Sequence, residues 1–195
     1  LLYRSNAQSR VLEHALFSSG VPYRVYGGLR FFERQEVKHA LAYLRLIANP
    51  DDDTAFTRVV NFPTRGIGAR SLEALQDAAR VWNTPLYQTV PHLSGKPAAA
   101  LGQFVALIER LRLETRDLPL HEMVDHVIEM SGLRAHYQLE KEGQERLENL
   151  DELLNAAANF SAEVGAGPAP GEPAPEAGSV LAEFLAHASL EAGDH

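Results

Sequence analysis

From Glu33 onward, apolar residues recur at the three-to-four-residue spacing of an α-helix, and clusters of Gly, Pro, Asn and Asp repeatedly break the pattern. Such a pattern constrains the fold strongly. Each helix carries one apolar stripe, and a stripe is stable only when buried against another element, so the segments must share a core. Val37, Ala40, Leu41, Leu44 and Ala48 form the first stripe, ended by "NPDDD". Asp53 is expected to cap a short helix reaching Asn61, and Ser71–Val81 reads as the next. Thr84 and Pro85 read as a cap and a first helical residue. Leu101, Phe104, Val105, Ile108 and Leu111 set the face of a long helix over Ala98–Glu114. Leu120–Met130 follows, closed by Gly132, and then Glu145–Phe160 with Leu147, Leu150, Leu153, Leu154 and Ala157. Ser179 is expected to cap a last helix through Leu181, Phe184, Leu185 and Ala188. The fold class is mainly α.

The first 27 residues read differently. Leu1–Arg4 has strand character, Asn6 can cap a helix ending at Gly20, and "YRVY" at 23–26 alternates like a strand before Gly27 and Gly28. This is a short strand–helix–strand piece of α/β type, too small to stand alone, leading into a helical unit over residues 28–195. Residues 165–178, rich in Pro, Ala and Gly, lack large apolar side chains and read as a flexible loop.

The chain has no Cys, which removes disulfides and thiolate metal sites from consideration. No apolar run approaches the roughly 18 residues of a membrane span, and the N-terminus lacks a secretory pattern, so a cytoplasmic protein is expected. The formal net charge is −8, but it is unevenly spread: residues 1–70 hold ten Lys/Arg against six Asp/Glu, and residues 71–195 hold eight against twenty. Because charge acts within about 10 Å at ordinary salt, a local basic edge can meet phosphate while the chain as a whole is acidic.

That edge contains "NFPTRGIGARSLEAL", residues 61–75. Two glycines around an isoleucine, followed by a helix start, suit an anion cradle: glycine admits a ligand close to the main chain, and the first turn of a helix has unpaired N–H groups. Arg65 and Arg70 are placed to add charge, as in a helix-hairpin-helix module. Replacing Arg65 is accordingly expected to remove one phosphate contact at little cost in stability, and a β-branched residue at Gly68 to close the backbone geometry. A tight turn that needs glycine only for its shape is the other reading. "HEMVDH" at 121–126 sets its histidines five apart, off the i, i+4 spacing of a zinc helix, so they read as surface residues. Glu140 and Glu142 flank Lys141 with no sign of a cleft. No G-x-x-x-x-G-K-[ST] loop, G-x-G-x-x-G or serine elbow occurs.

Taken together, "LLYRSNAQSRVLEHAL", "VPYRVYGGLRFFERQEVKHALAYLRLIANPDDDTAF", "VVNFPTRGIGARSLEAL" and "SGLRAHYQLEKEGQERLENLDELL" resemble the UvrD/PcrA/Rep family of superfamily 1 DNA helicases almost end to end, the loop at 165–178 departing from it. The resemblance implies that residues 1–27 belong to the second RecA-like motor domain, 2A, and residues 28–195 to its inserted helical subdomain, 2B. It implies a parent enzyme that uses ATP and Mg2+ to move 3′ to 5′ on DNA in repair, with its nucleotide-binding motifs outside this segment and no cofactor within it. By the same resemblance, Thr64, Arg65, Gly66, Ile67, Gly68, Arg70 and Ser71 would hold duplex DNA, with Ser131, Gly132 and Arg134 as a second duplex contact or a plain glycine helix stop. Arg4 and Asn6 would touch single-stranded DNA, and Gly27 and Gly28 would form a hinge. Partners implied are DNA and repair proteins, and no membrane. A stand-alone helix-hairpin-helix DNA-binding module and a helical adaptor for proteins are the alternatives.

Overall fold

The computed structural model describes residues 15, 31–165 and 177–192, and among these every regular element is helical. Arg4, Asn6, Gly27, Gly28 and the expected strand–helix–strand piece lie outside the described residues, as does the heart of the loop at 165–178.

The organising element is α1, Gln35–Ala48, in which ten of fourteen residues are buried. A helix apolar around most of its girth can only be a core helix. Packed around it are α2 (Asp53–Val59), α5 (Lys96–Glu114), α6 (Leu120–Met130), α8 (Gly143–Gly165) and α9 (Ala177–Ala192). The stripes read from the sequence meet here: Leu41, Leu44, Phe104, Ile108, Leu111, Leu150, Leu153, Leu181 and Phe184 are all fully or almost fully enclosed. Each such side chain contributes roughly 1.5–3 kcal/mol of hydrophobic stabilisation. Ala48, at the end of its expected stripe, is exposed.

Local chemistry moves several boundaries. Asp52, not Asp53, caps α2, its carboxylate accepting from the Ala55 amide at 2.9 Å. Asp53 instead reaches the next segment and accepts from Leu86 N at 2.9 Å. That bond starts α4 (Leu86–Thr89), which continues into a 3-10 turn, Val90–His92. Thr84 does not cap it, because its hydroxyl donates backward to the Trp82 carbonyl. α2 stops at Val59, two residues short of Asn61, and α3 runs Ala69–Trp82, starting two residues before Ser71. A short helix, α7 (Leu133–Leu139), follows Gly132 where the sequence reading placed only a stop. α9 begins at Ala177, ahead of Ser179.

One polar network sits inside this core. Glu36, 4% exposed, accepts from Arg146 at 3.2 Å and from the Asn149 amide at 2.6 Å, and Arg34 donates to the Asn149 side-chain oxygen. These bonds tie the start of α1 to α8. A buried carboxylate with charged and amide donors is satisfied, so it fixes the register of the two helices instead of destabilising them.

Candidate nucleic-acid interface

The hairpin between α2 and α3 is shaped from inside by two side chains. Asn61 turns its Oδ1 under the loop and accepts from the backbone amides of Arg65 at 2.8 Å and Ile67 at 3.1 Å. Ile67 is the hydrophobic pin, 3% exposed. Gly66 has φ +74, a conformation that favours glycine. Gly68 does not: its φ of −81 and ψ of 170 are extended backbone open to any residue, and a Cβ there would meet nothing within 4 Å. Glycine at 68 thus leaves open space before α3, and the expectation that a side chain would close the backbone geometry there does not hold.

The second organising side chain is Arg65, which the structure turns inward. Its Nη2 donates at 2.7 Å both to the Tyr43 hydroxyl on α1 and to the Ser131 carbonyl at the end of α6. The guanidinium lies 5.9 Å from the Tyr43 ring centroid and 5.8 Å from that of Phe104. Tyr43 in turn donates its hydroxyl hydrogen bond to the Phe62 carbonyl. Burial raises the Tyr43 pKa to about 12 against the opposing pull of Arg65, so the phenol keeps its proton at neutral pH. Arg65 is therefore a clamp joining hairpin, α1 and α6, and the expectation that it is an exposed charge of little structural weight is corrected.

The joint at Gly132 belongs to the same assembly. Gly132 has φ +85, and a Cβ there would lie 3.6 Å from Pro63 Cγ, which places the second joint against the hairpin. Ser131 is 2% exposed; its hydroxyl donates to the Ile128 carbonyl and accepts from Leu133 N. Arg134 is held among Glu129, Asp125 and Asp151 at 2.9, 3.3 and 3.1 Å. Ser131 therefore presents backbone inward to Arg65, and three carboxylates surround the Arg134 charge. The structure gives both residues internal partners.

What faces outward is the remainder of the motif. Thr64, Gly66, Gly68 and Arg70 are exposed, and Ser71 is half-buried. Among the described residues, the amides of Gly66, Gly68, Ala69 and Arg70 have no hydrogen-bond acceptor, and no side chain caps α3. These N–H groups, with the positive end of a fourteen-residue helix behind them and the Arg70 guanidinium beside them, make a place for a phosphate oxygen. Asn61 was missed in the sequence reading. Its signal was an Asn four residues before Arg65 and six before Ile67, within reach of two loop amides.

Elsewhere, Glu114 accepts from Arg110 and bonds to His126, both at 2.6 Å, and the Arg110 bond, with the His126 contact behind it, holds the Glu114 carboxyl below its usual range. No group of three or more His, Asp or Glu suited to a metal occurs among the described residues. No described helix is long and apolar enough to cross a membrane.

The chain is thus a helical unit with a Gly-Ile-Gly hairpin that offers bare amides at a helix start, and comparison with known proteins shows its family. The whole chain, residues 1–195, matches the UvrD-like helicase C-terminal domain, and the protein belongs to that family. It is 50% identical over its full length to DNA helicase II of Escherichia coli and 48% identical to DNA helicase II of Haemophilus influenzae. Over 82% of its length it is 42% identical to the ATP-dependent DNA helicase PcrA of Bacillus subtilis. The chain spans about a quarter of the length of these relatives: 27%, 26% and 23%.

Proposed function

We propose that this chain is the duplex-gripping 2B subdomain, with an adjoining piece of motor domain 2A, of an ATP-driven 3′-to-5′ DNA helicase acting in repair in the cytoplasm. The observation that carries the reading is the rigid hairpin whose unpaired amides and Arg70 face solvent while Asn61 and Arg65 fix its shape from within. A preformed cradle binds phosphate without first ordering a loop, which suits a grip that ignores sequence. Thr64, Gly66, Gly68, Arg70 and Ser71 form the contact; Arg65 and Ile67 hold it, and the Gly132 joint buttresses it through Pro63. Arg4 and Asn6 keep their proposed role on single-stranded DNA, Gly27 and Gly28 as a hinge, and the outer helical surface as a docking face for repair proteins.

ATP and Mg2+ serve the parent enzyme. The residues described here do not fit a nucleotide site: the hairpin cradle lacks the lysine and hydroxyl spacing of a triphosphate loop, and no acid cluster stands near it. No step of ATP chemistry is assigned to this chain.

The test is a salt titration of binding to duplex DNA with a single-stranded tail. Neutralising one phosphate contributes roughly −0.9 to the log–log slope, so two or three contacts give about −2 to −3. Arg70→Ala should make the slope shallower by about one unit with an unchanged circular dichroism spectrum. A folded Arg70→Ala variant with the original slope and affinity would remove the hairpin from the interface.

A further inference from the structure

Beside the hairpin, α2, α3 and the start of α4 enclose an open groove of about 1080 Å³. Its walls carry Thr57 and Arg58 from α2, Gln76 and Arg80 from α3, and Asn83 just beyond. Its floor includes His39, which stacks on Phe62 of the hairpin at 3.9 Å, so groove and hairpin share a wall.

The chemistry of the lining is that of a phosphate-binding surface. Arg58 is exposed and has no ion pair among the described residues. Arg80 pairs only with Asp77 of its own helix, at 3.3 Å with both side chains over 70% exposed, a bond worth little and easily exchanged. The one acid in the lining, Asp53, already accepts from Leu86 N. The rest of the lining mixes hydroxyl and amide side chains with Ala79, Pro85 and Leu86, and no exposed large apolar side chain is among them, whereas a protein partner would need such an anchor. The local positive balance stands out in a chain of net charge −8.

Position favours the same ligand as the hairpin. Arg80 lies eleven residues beyond Ala69 on the same helix, roughly 16 Å along its axis at about 1.5 Å per residue. The major groove of a duplex is about 12 Å wide, so a duplex backbone at the hairpin leaves the facing backbone within a side chain's reach of Arg80 and Arg58. We propose that this groove is a second phosphate-binding site, which takes the duplex backbone on the far side of the major groove from the hairpin. The inference rests on the hairpin reading only for the placement of the duplex.

The test uses the 195-residue chain, a tailed duplex and neutral methylphosphonate linkages placed one at a time. Two positions roughly half a helical turn apart should weaken binding when neutralised. Arg58→Ala and Arg80→Ala should each make the salt slope shallower by about one unit, and Arg58→Ala should silence the second position while leaving the first. Arg116→Ala, which lines a separate cavity with Ile47 and Ala48, serves as the control and should bind unchanged. Loss at the second position with Arg70→Ala silent would preserve the groove and discard the hairpin; the reverse would preserve the hairpin and discard the groove. If Arg58→Ala and Arg80→Ala are folded and bind with the original slope, or if a polyglutamate peptide occupies the groove in preference to DNA, the proposal is overturned.

Discussion

Arg65→Ala separates a clamp from a phosphate ligand. The substitution removes two 2.7 Å bonds from a guanidinium, to Tyr43 and to the Ser131 carbonyl, each worth about 1.5–3 kcal/mol. It also removes the contact with two aromatic faces, about 0.5–2 kcal/mol more. Against this stands relief from burying a charged group whose Nε has no partner among the described residues, about 1–3 kcal/mol. The balance is a destabilisation on the order of 3 kcal/mol. For a domain of this size, that lowers Tm by roughly 6–12 °C. Calorimetry or a thermal melt followed by circular dichroism reads the stability, and a salt titration on tailed duplex at a temperature where the variant is folded reads the contact. Affinity should fall because the hairpin loses its brace, but the salt slope should stay at its original value because the guanidinium faces the core. Arg65→Lys keeps the charge without the flat fork and should recover only part of the stability. A variant with unchanged Tm and a slope shallower by one unit would refute the reasoning and make Arg65 a phosphate ligand.

Three further outcomes follow from the same geometry. Gly66→Ala should cost about 1–2 kcal/mol because φ is +74, whereas Gly68→Ala, in extended backbone facing open space, should leave urea unfolding nearly unchanged and weaken only DNA binding; equal losses of stability would contradict this. Asn61→Ala strands two loop amides and should destabilise by about 1–3 kcal/mol, with faster hydrogen exchange at Arg65 and Ile67 as the local signature. Burial and the nearby Arg58 charge lower the His39 pKa from 6.5 to about 4, so the unfolded chain binds the proton first. His39 therefore costs nothing above pH 6.5, and stability should fall as pH drops from 6.5 toward 4; His39→Gln should flatten that part of the profile in denaturant titrations.

Periodicity determined most of the fold. The stripes through Leu41, Phe104, Leu150 and Phe184 named the core because a helical repeat leaves an apolar face only one way to be buried. The same local reasoning found the Gly66–Gly68 hairpin and the joint at Gly132, since glycine spacing and a following helix are properties of neighbouring residues. Boundaries were less legible: Asp52 and Asp53 are both capping residues by type, and only the position of Leu86 decides which one caps and which one crosses to α4. Partners distant in sequence were hidden altogether. Arg65 and Arg70 look alike in the sequence, both basic and both within two residues of a glycine, and no local rule separates them. Packing α1 and α6 behind the hairpin places a phenol and a carbonyl within 2.7 Å of Arg65, while Arg70 has no side-chain hydrogen bond or ion pair among the described residues. One arginine becomes the brace and the other stays exposed for the proposed contact because tertiary structure, and not residue type, determines which charge is desolvated.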